Sequence, residues 1–257
     1  MSILEGEPVR IPKVSVVVAG QLRRSIIRGE FRPGDPLPNE TELMELYDVS
    51  RPVVREALRI IESESLISVK RGAKGGARVQ RPDIVVAARH TALLLQIDGA
   101  TVADVFEARL ILEPDAVRRL AERRPPEAIA RLRELHEQEL ALTENTLTGY
   151  PIHAALFHEG LIELAGNKTL AVLSRLLLEI IQVQNRATFS VLASAGVEIA
   201  RGAAESHGQL IDLIESGEVD AAVAMWRQHL EEAAEMALAR LGPTTIVDLL
   251  DHDIPGR

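Results

Sequence analysis

The chain contains no cysteine, which removes disulfides, thiolate-ligated metals and cysteine nucleophiles at once. Aromatic residues are only 3% of it, against a total hydrophobic content of 46%. A core built this way is aliphatic, and the abundance of Ala, Leu, Ile, Glu and Arg favours helices over strands. No apolar run approaches the roughly 20 residues that a membrane-spanning helix needs. The opening MSILEGEPVR carries acids where a secretion signal would be basic and apolar. A soluble, cytoplasmic protein with no membrane partner is expected. Basic charge is also short: 29 Lys and Arg against 38 Asp and Glu leave a net −9, which ordinarily speaks against nucleic acid.

The distribution of that charge reverses the inference. Residues 10–81 hold 14 basic and 9 acidic side chains, a net of +5, whereas residues 82–257 hold 15 and 27, a net of −12. A basic front and an acidic back point to two domains with different partners. At 257 residues the chain is also long for one domain.

Punctuation in the front part predicts three helices and a hairpin. VSVVVAGQLRRSIIR (14–28) places Val17, Leu22 and Ile26 near one face and ends at Gly29. After a Pro/Gly-rich connection, Asn39 starts the short ETELMELY helix. A turn at 48–50 then leads to a third helix, with Ser50 as N-cap and Pro52 in the first turn. In that helix Val54, Ala57, Leu58 and Ile61 share an inward face, while Arg51, Arg55 and Arg59 recur every four residues on another. LISVKR and ARVQR, joined by the glycine-dense GAKGG, form a β-hairpin. Arginines at this spacing most often only solvate a helix face. Here they follow a tight turn and precede a hairpin bearing Arg71, Lys74 and Arg78, the order of a winged helix-turn-helix. In that setting an arginine on the third helix can grip guanine O6 and N7.

From residue 83 onward, seven segments carry helical periodicity, with breaks at Gly99, Pro125-Pro126, Gly149, Gly166-Asn167, Gly196 and Gly217, and a kink expected at Pro114. The fold class expected is mainly α: an N-terminal winged helix-turn-helix with a small β-hairpin wing, and a C-terminal antiparallel bundle of six or seven helices. The domains are residues 10–81 for DNA binding, 82–241 for effector binding and dimerisation, and 242–257 as an acidic tail.

Of the seven histidines, His90, His136 and His252 read as ordinary hydrogen-bonded residues, and His153 is about 140° around its helix from His158. His207 and His229 lie ten residues before and twelve after Gly217. At a 1.5 Å rise they stand roughly 15 and 18 Å from the turn, nearly level on two antiparallel helices. With His158 from an earlier helix they compose a three-histidine set suited to Zn or Ni-like divalent ions.

The segment GEFRPGDPLPNETELMELYDVSRPVVREALRIIESESLISVKRGAKGGARV resembles the DNA-binding domain of the GntR superfamily of bacterial regulators, and the match covers residues 14–79. The resemblance implies that Ser50, Arg51 and Arg55 contact operator bases and phosphates and that Arg71 and Gly72 reach in from the wing. Pro52, Val53, Arg59 and Lys74 complete the DNA-facing set, together with Thr41, which stands where related proteins often carry Arg. VFEARLILEPDAVRRLAERR, FHEGLIELAGN and ESHGQLIDLIESGEVDAAVAMWRQHL resemble the helical ligand-binding domain (FCD) of the FadR-like branch. That resemblance implies a metal site at His158, His207 and His229. The Asp that joins it in metal-binding relatives, four residues before the first histidine, is Ala154 here. It also places Arg109 toward an effector cavity, where it would grip a carboxylate or else pair with Glu107 or Glu113. Asn167 and Asn185 complete the effector-binding set. The reading that follows is a non-enzymatic homodimeric regulator, a repressor by expectation, binding a palindromic operator in double-stranded DNA and answering to a small organic acid or acyl effector. Two alternatives compete: a metal-dependent hydrolase or lyase using the three histidines, and an architectural DNA-binding protein with no ligand.

Overall fold

A computed structural model describes residues 12–70, 76–143, 150–189 and 193–241. The chain divides into two compact units between Asp83 and Ile84. Among the described residues no helix is long and apolar enough to cross a membrane.

In the first unit, α1 (Val14–Ile27), α2 (Glu40–Tyr47) and α3 (Arg51–Ser63) precede an antiparallel hairpin of β1 (Ile67–Lys70) and β2 (Gly76–Val79). Each start and stop has a local cause. Asn39 caps α2 through a capping box, its Oδ1 accepting from the backbone N–H of Thr41 and Glu42 while Glu42 Oε2 accepts from Asn39 N–H. Asp48 ends α2 in the left-handed region at φ 49°, and three residues later Arg51 opens α3. Ser50 occupies the N-cap position of α3, but its hydroxyl makes no cap bond. Val54, Ala57, Leu58 and Ile61 are all buried, joined by Leu22, Leu43, Ile67 and Val79 in one core. On α1 the inward face is carried by Val18, Ala19 and Leu22, while Val17, expected near the same face as Leu22, is 46% exposed. Residues 34–37 extend the sheet edge, since Gly34 and Leu37 N–H donate to Val79 and Ala77 carbonyls.

The second unit is a bundle of seven described helices: α4 (Ile84–Ile97), α5 (Val102–Arg123), α6 (Pro126–Thr143), α7 (Tyr150–Leu164), α8 (Lys168–Phe189), α9 (Ala193–Ser216) and α10 (Val219–Leu241). Positive-φ glycines at Gly99, Gly166 and Gly217 allow three of the reversals. Gly196, expected to break a helix, lies inside α9; helix propensity of the flanking residues outweighs the roughly 1 kcal/mol that a single interior glycine costs. α5 also continues through Pro114. It contacts α7, α8, α9 and α10 and so forms the axis of the unit. α6 and α7 approach so closely that a Cβ at Gly160 would overlap Leu135 Cδ1. The main core gathers Leu120, Leu132, Phe157, Leu161, Leu210 and Trp226, and a second one gathers Phe106, Ile180 and Ile181.

Candidate functional sites

α7, α9 and α10 bring His158, His207 and His229 together, with ligand-capable nitrogens all within 4.8 Å of one another. Ring centroids are 5.0 Å apart for His207 and His229, 5.2 Å for His158 and His207, and 5.6 Å for His158 and His229. Packing fixes the rings. Phe157 stacks on His207 at 4.1 Å, and Trp226 stacks on His229 at 4.7 Å.

Two buried carboxylates hold two of the rings. Glu139 Oε2 lies 2.7 Å from His207 Nδ1, and Glu113 Oε2 lies 2.7 Å from His158 Nδ1. Burial by itself would raise the Glu113 carboxyl, but the neighbouring Arg109 and His158 hold it down to about 2. Burial opposes ionisation of Glu139 likewise, and His136, 3.8 Å away, together with the hydrogen bond from His207 holds that group at about 2. An ionised carboxylate only accepts, so His207 Nδ1 donates to Glu139, while His158 Nδ1 lies between Glu113 Oε2 and, at 2.9 Å, Arg109 Nη2. Burial, offset in part by Glu113, pushes His158 down to about 4; burial, His207 and His158 push His229 down to about 2. Both imidazoles are neutral at pH 7, the form that binds a metal.

His207 Nε2 is buried and without a hydrogen-bond partner, an orphaned ring nitrogen among three imidazoles. The donor set therefore fits a divalent cation with open coordination positions. Zn–N bonds of about 2.0–2.1 Å at tetrahedral angles would draw the three rings somewhat closer together. Beside the histidines lies a cavity of about 330 Å³, lined among others by Phe106, Arg109, Ala154, Ile181, Ser206 and Met236. Ala154 lines it with a methyl group and offers no ligand atom.

Arg109 lines that cavity but is also committed to a partner. Its Nε donates to Glu113 Oε1 at 2.5 Å, and its side chain is 5% exposed. The salt bridge expected for it is made with Glu113 and not Glu107. Trp226 Nε1 donates to Glu113 as well, at 3.2 Å. Asn167, expected to bind effector, is not among the lining residues; its Oδ1 caps α8 by accepting from Thr169 and Leu170 N–H. Asn185 lies on α8 and His153 on α7, with side chains outside the described residues.

Glu139 is the functional side chain that motif reasoning missed. Its signal is nonetheless periodic: Ala128, Leu132, Leu135 and Glu139 share the buried face of α6, and a carboxylate in such a stripe demands a partner.

On the first unit Thr41, Ser50, Arg51, Pro52, Arg55 and Arg59 are exposed, and Val53 is half-buried. Arg55 Nε donates to both oxygens of Glu40 at 2.9 and 3.1 Å, and Arg51 Nε lies 3.8 Å from the same carboxylate. Arg59 faces Glu56 at 3.7 Å. Arg78 donates to the Gly34 carbonyl. Arg71, Gly72 and Lys74 lie outside the described residues.

Comparison with known proteins agrees with this geometry. The family model described as bacterial regulatory proteins, gntR family, matches residues 15–79. The FCD domain model matches residues 104–232, just over half of the chain. The HTH-type transcriptional repressor NanR of Cronobacter sakazakii is 32% identical over 166 residues, which span 62% of this chain and 62% of that protein, less than two thirds of its length. The HTH-type transcriptional regulator Mce2R of Mycobacterium tuberculosis is 29% identical over 246 residues, 91% of this chain and 96% of that one. A solved structure, Streptococcus agalactiae GntR, shares the fold with a TM-score of 0.67 at 23% identity, covering 86% of this chain and 99% of its own.

Proposed function

Because this chain belongs to the gntR family of bacterial regulatory proteins and carries an FCD domain, we propose that it is an effector-responsive transcriptional repressor acting as a homodimer on a palindromic operator. α3 enters the major groove, Arg51 and Arg55 read guanines, and Ser50 with Thr41 meets phosphates. Arg59, farther from the N-terminal end of α3, contacts phosphate or solvent. The wing residues Arg71, Gly72 and Lys74 act as the family resemblance implies. Two protomers present two α3 helices to two half-sites, so operator symmetry mirrors protein symmetry.

The observation that carries the sensing half is the orphaned His207 Nε2 beside a cavity. His158, His207 and His229 hold a divalent cation, whose positive charge would anchor a small organic acid. Arg109 contributes positive potential at the cavity wall while Glu113 fixes its position. Acid binding there shifts the helical unit's conformational population and lowers operator affinity.

The test is fluorescence anisotropy on a duplex that the protein itself enriches from a randomised library, with Zn²⁺ and a panel of small carboxylic acids. A member of the panel is expected to weaken DNA binding at least about fivefold, the lower end of ordinary allosteric coupling. If no acid, with or without metal, changes DNA affinity, the architectural reading replaces this one.

A further inference from the structure

We infer that Glu40 is a specificity-determining residue for DNA reading, a carboxylate that holds Arg55 by its Nε side and presents that guanidinium fork end-on, with Arg51 beside it. The inference rests on the proposal that α3 reads DNA.

Glu40 is the first residue of α2, directly after the Asn39 capping box, so its backbone is fixed by bonds on both sides of the cap. Acid is favoured at this position by the helix dipole. Leu43, one turn on, is fully buried in the same core as Val54, Ala57 and Ile61 of α3. The carboxylate and the two arginines therefore stand on elements locked to each other by apolar packing.

Arginine offers five N–H donors in a planar fork. In Arg55 the Nε–H is shared by Glu40 Oε1 and Oε2, and among the described residues the Nη1 and Nη2 groups make no hydrogen bond. That occupancy closes the side-on approach, which uses Nε, and leaves the end-on Nη1/Nη2 pair open. Two parallel donors are what guanine O6 and N7 require. Arg51 Nε lies 3.8 Å from the same carboxylate, beyond hydrogen-bond distance, so the acid orients Arg55 and only neighbours Arg51.

Stability does not explain the arrangement. The side chains are 60%, 53% and 33% exposed for Arg55, Arg51 and Glu40, and ion pairs so open to water contribute little to folding. The negative charge has a second effect: it opposes phosphate attraction at the centre of a basic surface. Binding to arbitrary duplex is electrostatic, so Glu40 weakens it, while the oriented fork favours the correct site. Both effects widen the ratio between the two affinities.

Full-length wild type, Glu40→Ala, Glu40→Gln and Arg55→Ala are each used to enrich sites from a randomised duplex library. Each is then titrated against the wild-type-enriched duplex and a scrambled one across a salt series. Glu40→Ala is expected to bind scrambled DNA more tightly and the enriched duplex more weakly. The ratio should fall about tenfold, with preference lost at guanine positions of the motif. Glu40→Gln keeps an acceptor for Nε without charge, so it should raise scrambled binding as alanine does yet retain most of the motif. An alanine variant with the wild-type motif and ratio overturns the inference. So does an equal gain on both duplexes with the motif intact, which would make Glu40 only a charge. Failure of the underlying reading shows separately, as an Arg55→Ala motif identical to wild type.

Discussion

The two units each contain an arginine held by a glutamate, and the two pairs have opposite physical character. Arg55–Glu40 sits on the surface of the first unit at 2.9 Å, with side chains 60% and 33% exposed; Arg109–Glu113 lies inside the second at 2.5 Å, with 5% and 0%. Water screens the first pair, which leaves it weak and open to a third partner. The second is cut off from water and bound into a network with His158 and Trp226. Its charges cost a great deal to bury and are tolerated only because every one is answered. Surface pairing thus suits a reading head that must meet DNA, and buried pairing suits a wall that must hold imidazoles still.

The largest way to break this contrast is Glu113→Ala, which strands the Arg109 charge in the core. A loss of about 3–5 kcal/mol is expected, read from urea unfolding through Trp226, the single tryptophan of the chain and a buried one. A loss under about 1 kcal/mol would make the buried pair as dispensable as an exposed one.

Acidification attacks the same network. Folded Glu113 and Glu139 titrate at about 2 instead of 4.5, and folded His158 and His229 at about 4 and 2 instead of 6.5. In each case the unfolded chain binds the proton at higher pH, so stability falls as pH falls. Loss of stability should begin near pH 6.5, from the histidines, and deepen below 4.5 as the carboxylates join. The Trp226 unfolding midpoint followed from pH 8 downward checks this sequence.

Metal addition should stabilise the buried site. At a free concentration a hundred times its Kd, Zn²⁺ contributes about 2.7 kcal/mol. His207→Ala is expected to abolish most of that gain, measured as the chelator-reversible rise in Tm. Arg55→Ala should cost about 1–3 kcal/mol of operator affinity and relax one base position, with an unchanged Tm; anisotropy against single-base operator variants measures both. Smallest of all, Glu40→Ala should alter unfolding free energy by no more than about 1 kcal/mol, by circular dichroism, even though it changes DNA discrimination.

Much of the fold was legible because its signals are local. A cap at Asn39, glycines at Gly99, Gly166 and Gly217 and the four-residue rhythm of α3 each act within one turn of chain. Where local rules misled, a neighbouring element overrode them. Gly196 is carried by the length of α9, and Val18, not Val17, packs into the core beside Leu22. The level placement of His207 and His229 was also readable, since helix rise and one turn determine it.

Partner identity was not readable in the same way. The glutamate that meets Arg55 lies 15 residues away, the one that meets His158 lies 45 away, and the one that meets His207 lies 68 away. The sequence by itself determined the helices, the hairpin, the order of the two domains and the residue types available for DNA, metal and effector. Only tertiary structure decided which acid answers which base, because that depends on how separate helices pack and on how much water their packing excludes. Burial turned Glu113 and Glu139 into fixed anchors for two of the imidazoles. Exposure left Glu40 a soft hold on Arg55.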